Sequence, residues 1–215
     1  MDVLLNNLDV YVPAFGNTLI LFSVSLVFAL LIGTVVGAMR VSPVPIARAV
    51  GTVYVNTIRN TPLTLVMFFF AFGYPKLDLP QVDYTNLAIC ALSLYTATYV
   101  AEVLRSGINT VPIGQAEAAR AIGLDFGLTM TQVVLPQAFR SVIPPLMSVL
   151  IALLKNTTVA AGFSVAEAGT IVRVLNERGE NSLIVVLWVA LVFVVLVTLL
   201  SLVQRQLEKK WRVAR

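Results

Sequence analysis

Residues 114–145 read GQAEAARAIGLDFGLTMTQVVLPQAFRSVIPP, a polar, alanine-rich passage set between strongly apolar runs. Pro112 lies just ahead of it and suits the first turn of a helix, residues 115–122 are good helix formers, and Gly123 is placed to stop that helix. The small side chains of Ala116, Ala118, Ala119 and Ala121 would let another surface come close, while Glu117 and Arg120 can pair locally or with a partner. A second helical stretch begins after Gly127, and Pro136 is expected to bend it toward the apolar run that follows. So polar a passage is not lipid-facing, because its polar groups would go unsatisfied there. It reads as a loop with short helices of its own.

On either side the chain is composed for hydrocarbon. Of its 215 residues 58% are hydrophobic and 12% charged, and mean hydropathy is +0.89, far above an ordinary soluble domain. A crossing takes about 20 apolar residues. Five are expected, at residues 17–39, 52–73, 86–104, 141–154 and 182–203, with 105–140 as the long loop after the third. Residues 1–215 are thus read as a single all-α transmembrane domain. The first crossing is no cleavable signal, since the segment before it carries Asp2 and Asp9 but no Lys or Arg. Residues 74–84 (YPKLDLPQVDY) form a turn outside the hydrocarbon, and residues 162–169 (GFSVAEAG) dip back as a short external helix that Glu167 keeps near water. No internal repeat marks the chain as a repeat-built secondary transporter.

The distribution of charge orients the bundle. With the N-terminus outside, the inner side receives Arg40, Arg48, Arg59, Arg105, Arg120, Arg140, Arg205, Lys209, Lys210, Arg212 and Arg215, and the outer side only Lys76, Lys155, Arg173 and Arg178. Eleven basic residues against four favour N-out, C-in, because cytoplasmic loops carry the excess. The formal net charge of +4 is explained by this topology and by a basic C-terminal anchor on anionic lipid, without nucleic acid. The absence of histidine excludes imidazole chemistry, and the lone Cys90 excludes an internal disulfide and reads as a small packing residue. No GxxxxGK[ST] occurs, so this chain has no phosphate-binding loop and binds no cofactor. One five-crossing bundle is also too small to enclose a polar route from lipid, which calls for a second copy or a homologous permease.

Glu117, Ala118, Ala119, Gly123, Val133, Leu135 and Pro136 fall at the spacing of the EAA loop and resemble that of ABC importer permeases, with Val133 where isoleucine is usual. Residues 59–63 (RNTPL), 99–108 (YVAEVLRSGI) and 154–158 (LKNTT) resemble further segments of the polar amino-acid uptake group. Within it, RVSPV at 40–44 and NTIRNTPLTLV at 56–66 are most similar to glutamate-type permeases. The resemblance implies a type I importer fold in the inner membrane, with Gln115, Glu117, Ala118, Ala119, Arg120, Gly123, Leu135 and Pro136 coupling to a cytoplasmic ATPase dimer that consumes the ATP. It also implies an extracytoplasmic amino-acid-binding protein.

The remaining candidates keep two readings each. Arg59, with Asn60 and Thr61 before Pro62, is either a headgroup anchor or a pathway cation suited to a carboxylate. Glu102 lies three residues before Arg105 and reads first as a local ion pair. Lys155, Asn156, Thr157 and Thr158 form either a gate on the substrate route or a solvated span end. The rival function, an ion-driven secondary transporter or channel, wants a mid-span acid, and only Glu102 comes close. An intramembrane enzyme would need paired catalytic groups that no span supplies.

Overall fold

In the long helix Leu8–Val41, a face one residue wide decides how closely the helices pack. The computed structural model describes residues 2–211, and their regular elements are all helical. A single turn, α1 (Asp2–Leu5), leads into α2 (Leu8–Val41), whose buried Tyr11, Ala14, Thr18, Leu21, Ser25, Ala29, Gly33 and Gly37 recur at helical spacing along one side. The lower half of that stripe is nearly without side chains. Between helices in lipid there is no hydrophobic drive, so close backbone approach and van der Waals contact must supply the association. A Cβ at Gly33 would lie 2.5 Å from the Val100 Cβ, which shows how tightly α2 meets α5 (Tyr84–Asn109).

Between them, α3 (Pro45–Arg59) and α4 (Leu63–Phe68) replace the continuous crossing expected at 52–73. Pro62 has no N–H to give and disfavours helical geometry at Thr61, so the ladder stops at Asn60 and restarts at Leu63. A wide turn at Phe69–Gly73 and a tight one at Tyr74–Lys76 follow. Asp83 caps α5 by accepting from the Thr85 and Asn86 amides at 3.1 and 3.3 Å.

After α5 comes α6 (Ile113–Ala121), the short helix expected from the polar passage. Pro112 stands at its N-cap. Gly123, at φ +90°, ends it: the Gly123 amide donates to Arg120 O at 3.0 Å and the Leu124 amide to Ala119 O at 3.1 Å, a Schellman closure. Asp125 then caps α7 (Phe126–Leu128), which runs through a wide turn at Thr129–Val134 into α8 (Leu135–Asn156) and a 3₁₀ extension, Thr157–Phe163. The helix therefore begins well before residue 141 and takes up the last third of the expected loop. Pro136 falls in the first turn of α8, where a missing N–H costs least, and the wide turn just ahead absorbs the step. Pro144 and Pro145 sit inside α8 without ending it.

The chain closes with α9 (Ile171–Glu177) and α10 (Ser182–Trp211). Among the described residues four helices are long and apolar enough to cross a bilayer, Leu8–Val41, Tyr84–Asn109, Phe126–Phe163 and Ser182–Lys209, with Leu63–Lys76 a shorter apolar stretch. Of the basic C-terminal anchor, Lys210, Arg212 and Arg215 lie outside the described residues or side chains.

Glu167 does not stay near water. It is wholly buried in the turn between α8 and α9, accepting from the Gly169 amide at 2.7 Å and lying 3.3 Å from the Thr18 hydroxyl, while Thr18 accepts the Ala168 amide at 3.0 Å. The turn is thereby pinned to α2. A second clasp at the same end joins Arg178 to Asp9 at 2.8 Å and Asn7 to Glu180 at 2.9 Å. Cys90 is exposed on α5, not packed in the core as expected from its size.

Candidate functional site

Two features of the bundle are candidates for function: the prong formed by α6, and a cavity between α5 and α8. On the prong, Ala119 is buried against the wide turn before α8, so that alanine serves internal packing and is not offered to a partner. Gln115, Glu117, Ala118 and Arg120 are exposed, and so are Ile113, Ile122 and Phe126, at 75%, 80% and 68%. Apolar side chains so exposed beside Glu117, Arg120 and Asp125 suit neither water nor lipid, which makes the prong a candidate docking surface. Hydropathy reading missed this trio because single apolar residues in a polar loop carry no periodic signal. Leu135 and Pro136 are exposed at the start of α8.

The cavity holds about 400 Å³ and is lined by Tyr95, Thr96, Tyr99, Ser148, Val149, Ala152, Leu153 and Asn156. The phenolic oxygens of Tyr95 and Tyr99 lie 2.9 Å apart. Of the expected gate residues, only Asn156 reaches its wall. Thr157 is buried and donates to Leu154 O at 2.8 Å, and Lys155 is exposed.

At the end of this cavity nearer the prong, Arg59 lies over the Tyr99 ring, 5.8 Å from its centroid. Three helix ends meet there. Arg40 from the end of α2 and Arg105 from α5 each bond a Glu102 oxygen, and Arg59 from the end of α3 stands 3.7 Å from the carboxylate. The local pair expected between Glu102 and Arg105 exists. It is one edge of a larger cluster, which sequence spacing missed because Arg40 and Arg59 are brought to Glu102 by tertiary packing alone. Asn60 is exposed and Thr61 half-buried, its hydroxyl bonded to Thr57 O at 2.8 Å, so neither meets the carboxylate. Three guanidiniums around one carboxylate leave a local surplus of positive charge.

Comparison with known proteins agrees with this architecture. The chain is 46% identical over 198 residues to the glutamate transport system permease protein GluC of Corynebacterium glutamicum, covering 87% of each. It is 34% identical over 214 residues to the probable glutamine ABC transporter permease protein GlnM of Bacillus subtilis, covering 98% of this chain and 97% of that one. The fold is that of a solved amino acid ABC transporter with histidines, at TM-score 0.91 and 23% identity over 96% of each chain. It is also that of the inward-facing MetNI methionine ABC transporter, at TM-score 0.82 and 21% identity over 97% of this chain and 99% of that one. Residues 14–213 match the binding-protein-dependent transport system inner membrane component family, and the chain belongs to it.

Proposed function

We propose that the chain is the membrane-spanning subunit of an ABC importer for a polar amino acid, glutamate or a close relative. The observation that carries the substrate class is the charge surplus of Arg40, Arg59 and Arg105 over Glu102 at one end of a hydroxyl- and amide-lined cavity. An α-carboxylate and a side-chain carboxylate both suit guanidinium partners. The similarity to a glutamate permease points the same way.

In this reading the domain spans residues 1–215 and crosses the membrane five times, α3 and α4 together making the second, broken crossing. The N-terminus lies outside and the C-terminus inside, following the eleven-to-four distribution of basic residues. The α6 prong is then cytoplasmic. Gln115, Glu117, Ala118, Arg120 and Gly123 meet an ATPase of a cytoplasmic dimer, Ala119 fixes the prong to the bundle, and Leu135 and Pro136 pass its motion to α8. ATP is consumed there, not by this chain. A second permease copy or a homologue closes the route on its lipid side, and an extracytoplasmic binding protein delivers the amino acid. Arg59, Asn60, Thr61 and Glu102 lie toward the inner end of the route, and Lys155, Asn156 and Thr157 toward the outer end.

Reconstitution of the chain with its ATPase and binding protein in vesicles, with competition among labelled amino acids, tests this. ATP-dependent uptake displaced best by glutamate is expected. Accumulation driven by an ion gradient with this chain alone would overturn it.

A further inference from the structure

The arginines around Glu102 are not equivalent. Arg40 bonds the Oε2 atom and its side chain is only 9% exposed, while Arg105 bonds Oε1 from one turn along the same helix. Both carboxylate oxygens are therefore already engaged. Arg59 stands 3.7 Å away, outside hydrogen-bonding reach, and its side chain is 43% exposed. It is the last residue of α3, immediately before the Asn60–Pro62 break, so no following turn of helix locks it. Its guanidinium rests on Tyr99, whose ring also lines the cavity.

We infer that Arg59 is an exchangeable cation. Glu102 holds it in reserve, and the carboxylate of an acidic amino acid in the cavity takes it over, which makes Glu102 the positioning residue for the selection of acidic over neutral solutes. This rests on the substrate reading above. The exchange favours the solute because a two-pronged guanidinium–carboxylate bond is stronger than a loose ion pair between partly exposed groups. Departure of Arg59 leaves Glu102 still bonded to Arg40 and Arg105, so no buried carboxylate is stranded. The return of Arg59 to Glu102 then frees the solute.

The test uses vesicles holding the whole complex with its ATPase and binding protein, and compares labelled glutamate with labelled glutamine. For Arg59→Gln the glutamate-to-glutamine ratio of initial rates falls about tenfold, and Arg59→Lys recovers part of it. Glu102→Gln leaves Arg59 without its resting partner, so for glutamate the half-saturating concentration and the maximal rate both fall, whereas a merely structural loss lowers the rate with no tighter half-saturation. Melting of each purified complex checks that the variants assemble. If the wild-type complex moves glutamate and Arg59→Gln lowers both solutes equally, or Glu102→Gln lowers the rate alone, the exchange is overturned and the substrate reading survives. If the wild-type complex moves no acidic amino acid, both fall together.

Discussion

Glu167 is the residue whose chemistry departs furthest from its place in the sequence. It lies in the turn between α8 and α9, outside the crossing helices, and burial raises its carboxyl from 4.5 to about 7 against the opposing hydrogen bonds from Gly169, Thr18 and Ala168. A carboxyl raised by folding binds its proton more tightly in the native state. Stability is accordingly greatest below pH 4.5 as far as this group is concerned, and declines as pH rises from 4.5 through 7, by about 3 kcal/mol in all. Thermal unfolding of the detergent-purified protein at pH 5, 6, 7 and 8 should show this slope, and Glu167→Gln should flatten it while keeping the cap to Gly169. An unchanged slope in the variant would assign the pH dependence elsewhere. Gly123 is the other residue with a stated requirement, its φ of +90°. The space around it is open, so Gly123→Val is penalised by backbone strain, on the order of 1–2 kcal/mol confined to the end of α6.

Among the elements, the contact of α2 with α5 is the one on which the bundle turns. Gly33 would place a Cβ 2.5 Å from the Val100 Cβ and 2.9 Å from Ala97 O, whereas at Gly37 the nearest atom is 3.2 Å away. Gly33→Ala should therefore destabilise by about 1–3 kcal/mol, and Gly37→Ala by less. Adding Val100→Gly to Gly33→Ala should restore part of the loss, since the Val100 Cβ at 2.5 Å and Cγ1 at 2.6 Å are removed while the Ala97 carbonyl remains. Unfolding of the four proteins as a double-mutant cycle measures this, and strict additivity would show that the close approach is not what holds the helices. The broken pair α3 and α4 works differently. Its break at Asn60–Pro62 leaves Arg59 as the last residue of α3, over the Tyr99 ring that lines the cavity.

At the scale of the whole molecule, the apolar side chains left uncovered have two destinations. Those on α10, such as Leu187, Leu191 and Leu199, lie on a continuous apolar helix and suit lipid. Ile113, Ile122 and Phe126 sit exposed on the polar prong, where the proposed ATPase would cover them. Replacing Ile122 and Phe126 with aspartate, or Glu117 with lysine, should leave the chain inserted and folded but reduce recovery of the ATPase with it about tenfold or more. Co-purification from membranes, with melting of the permease as control, checks this. Full recovery of the ATPase with all three substitutions would place the docking surface elsewhere. Two differently tagged permeases, this chain with itself or with a homologue, should likewise be recovered together.

What the sequence determined by itself is what depends on composition and local spacing. Long charge-free runs dictated helices in hydrocarbon, Pro112 and Gly123 bounded α6, and the EAA spacing carried the family, because each of these is a property of neighbouring residues. Even the break at Pro62 was written locally, although hydropathy alone ran across it. Only the tertiary structure decided that Arg40 and Arg59 join Arg105 at Glu102, that Glu167 is buried beneath Thr18, and that Ala119 faces inward while Ile122 faces out. The partners of Glu102 from α2 and α3, and of Glu167 from α2, are separated from these carboxylates by a crossing or more along the chain. Their meeting follows from how closely two helices pack and from the rotation of each about its axis, and neither quantity can be read from the order of residues within one helix.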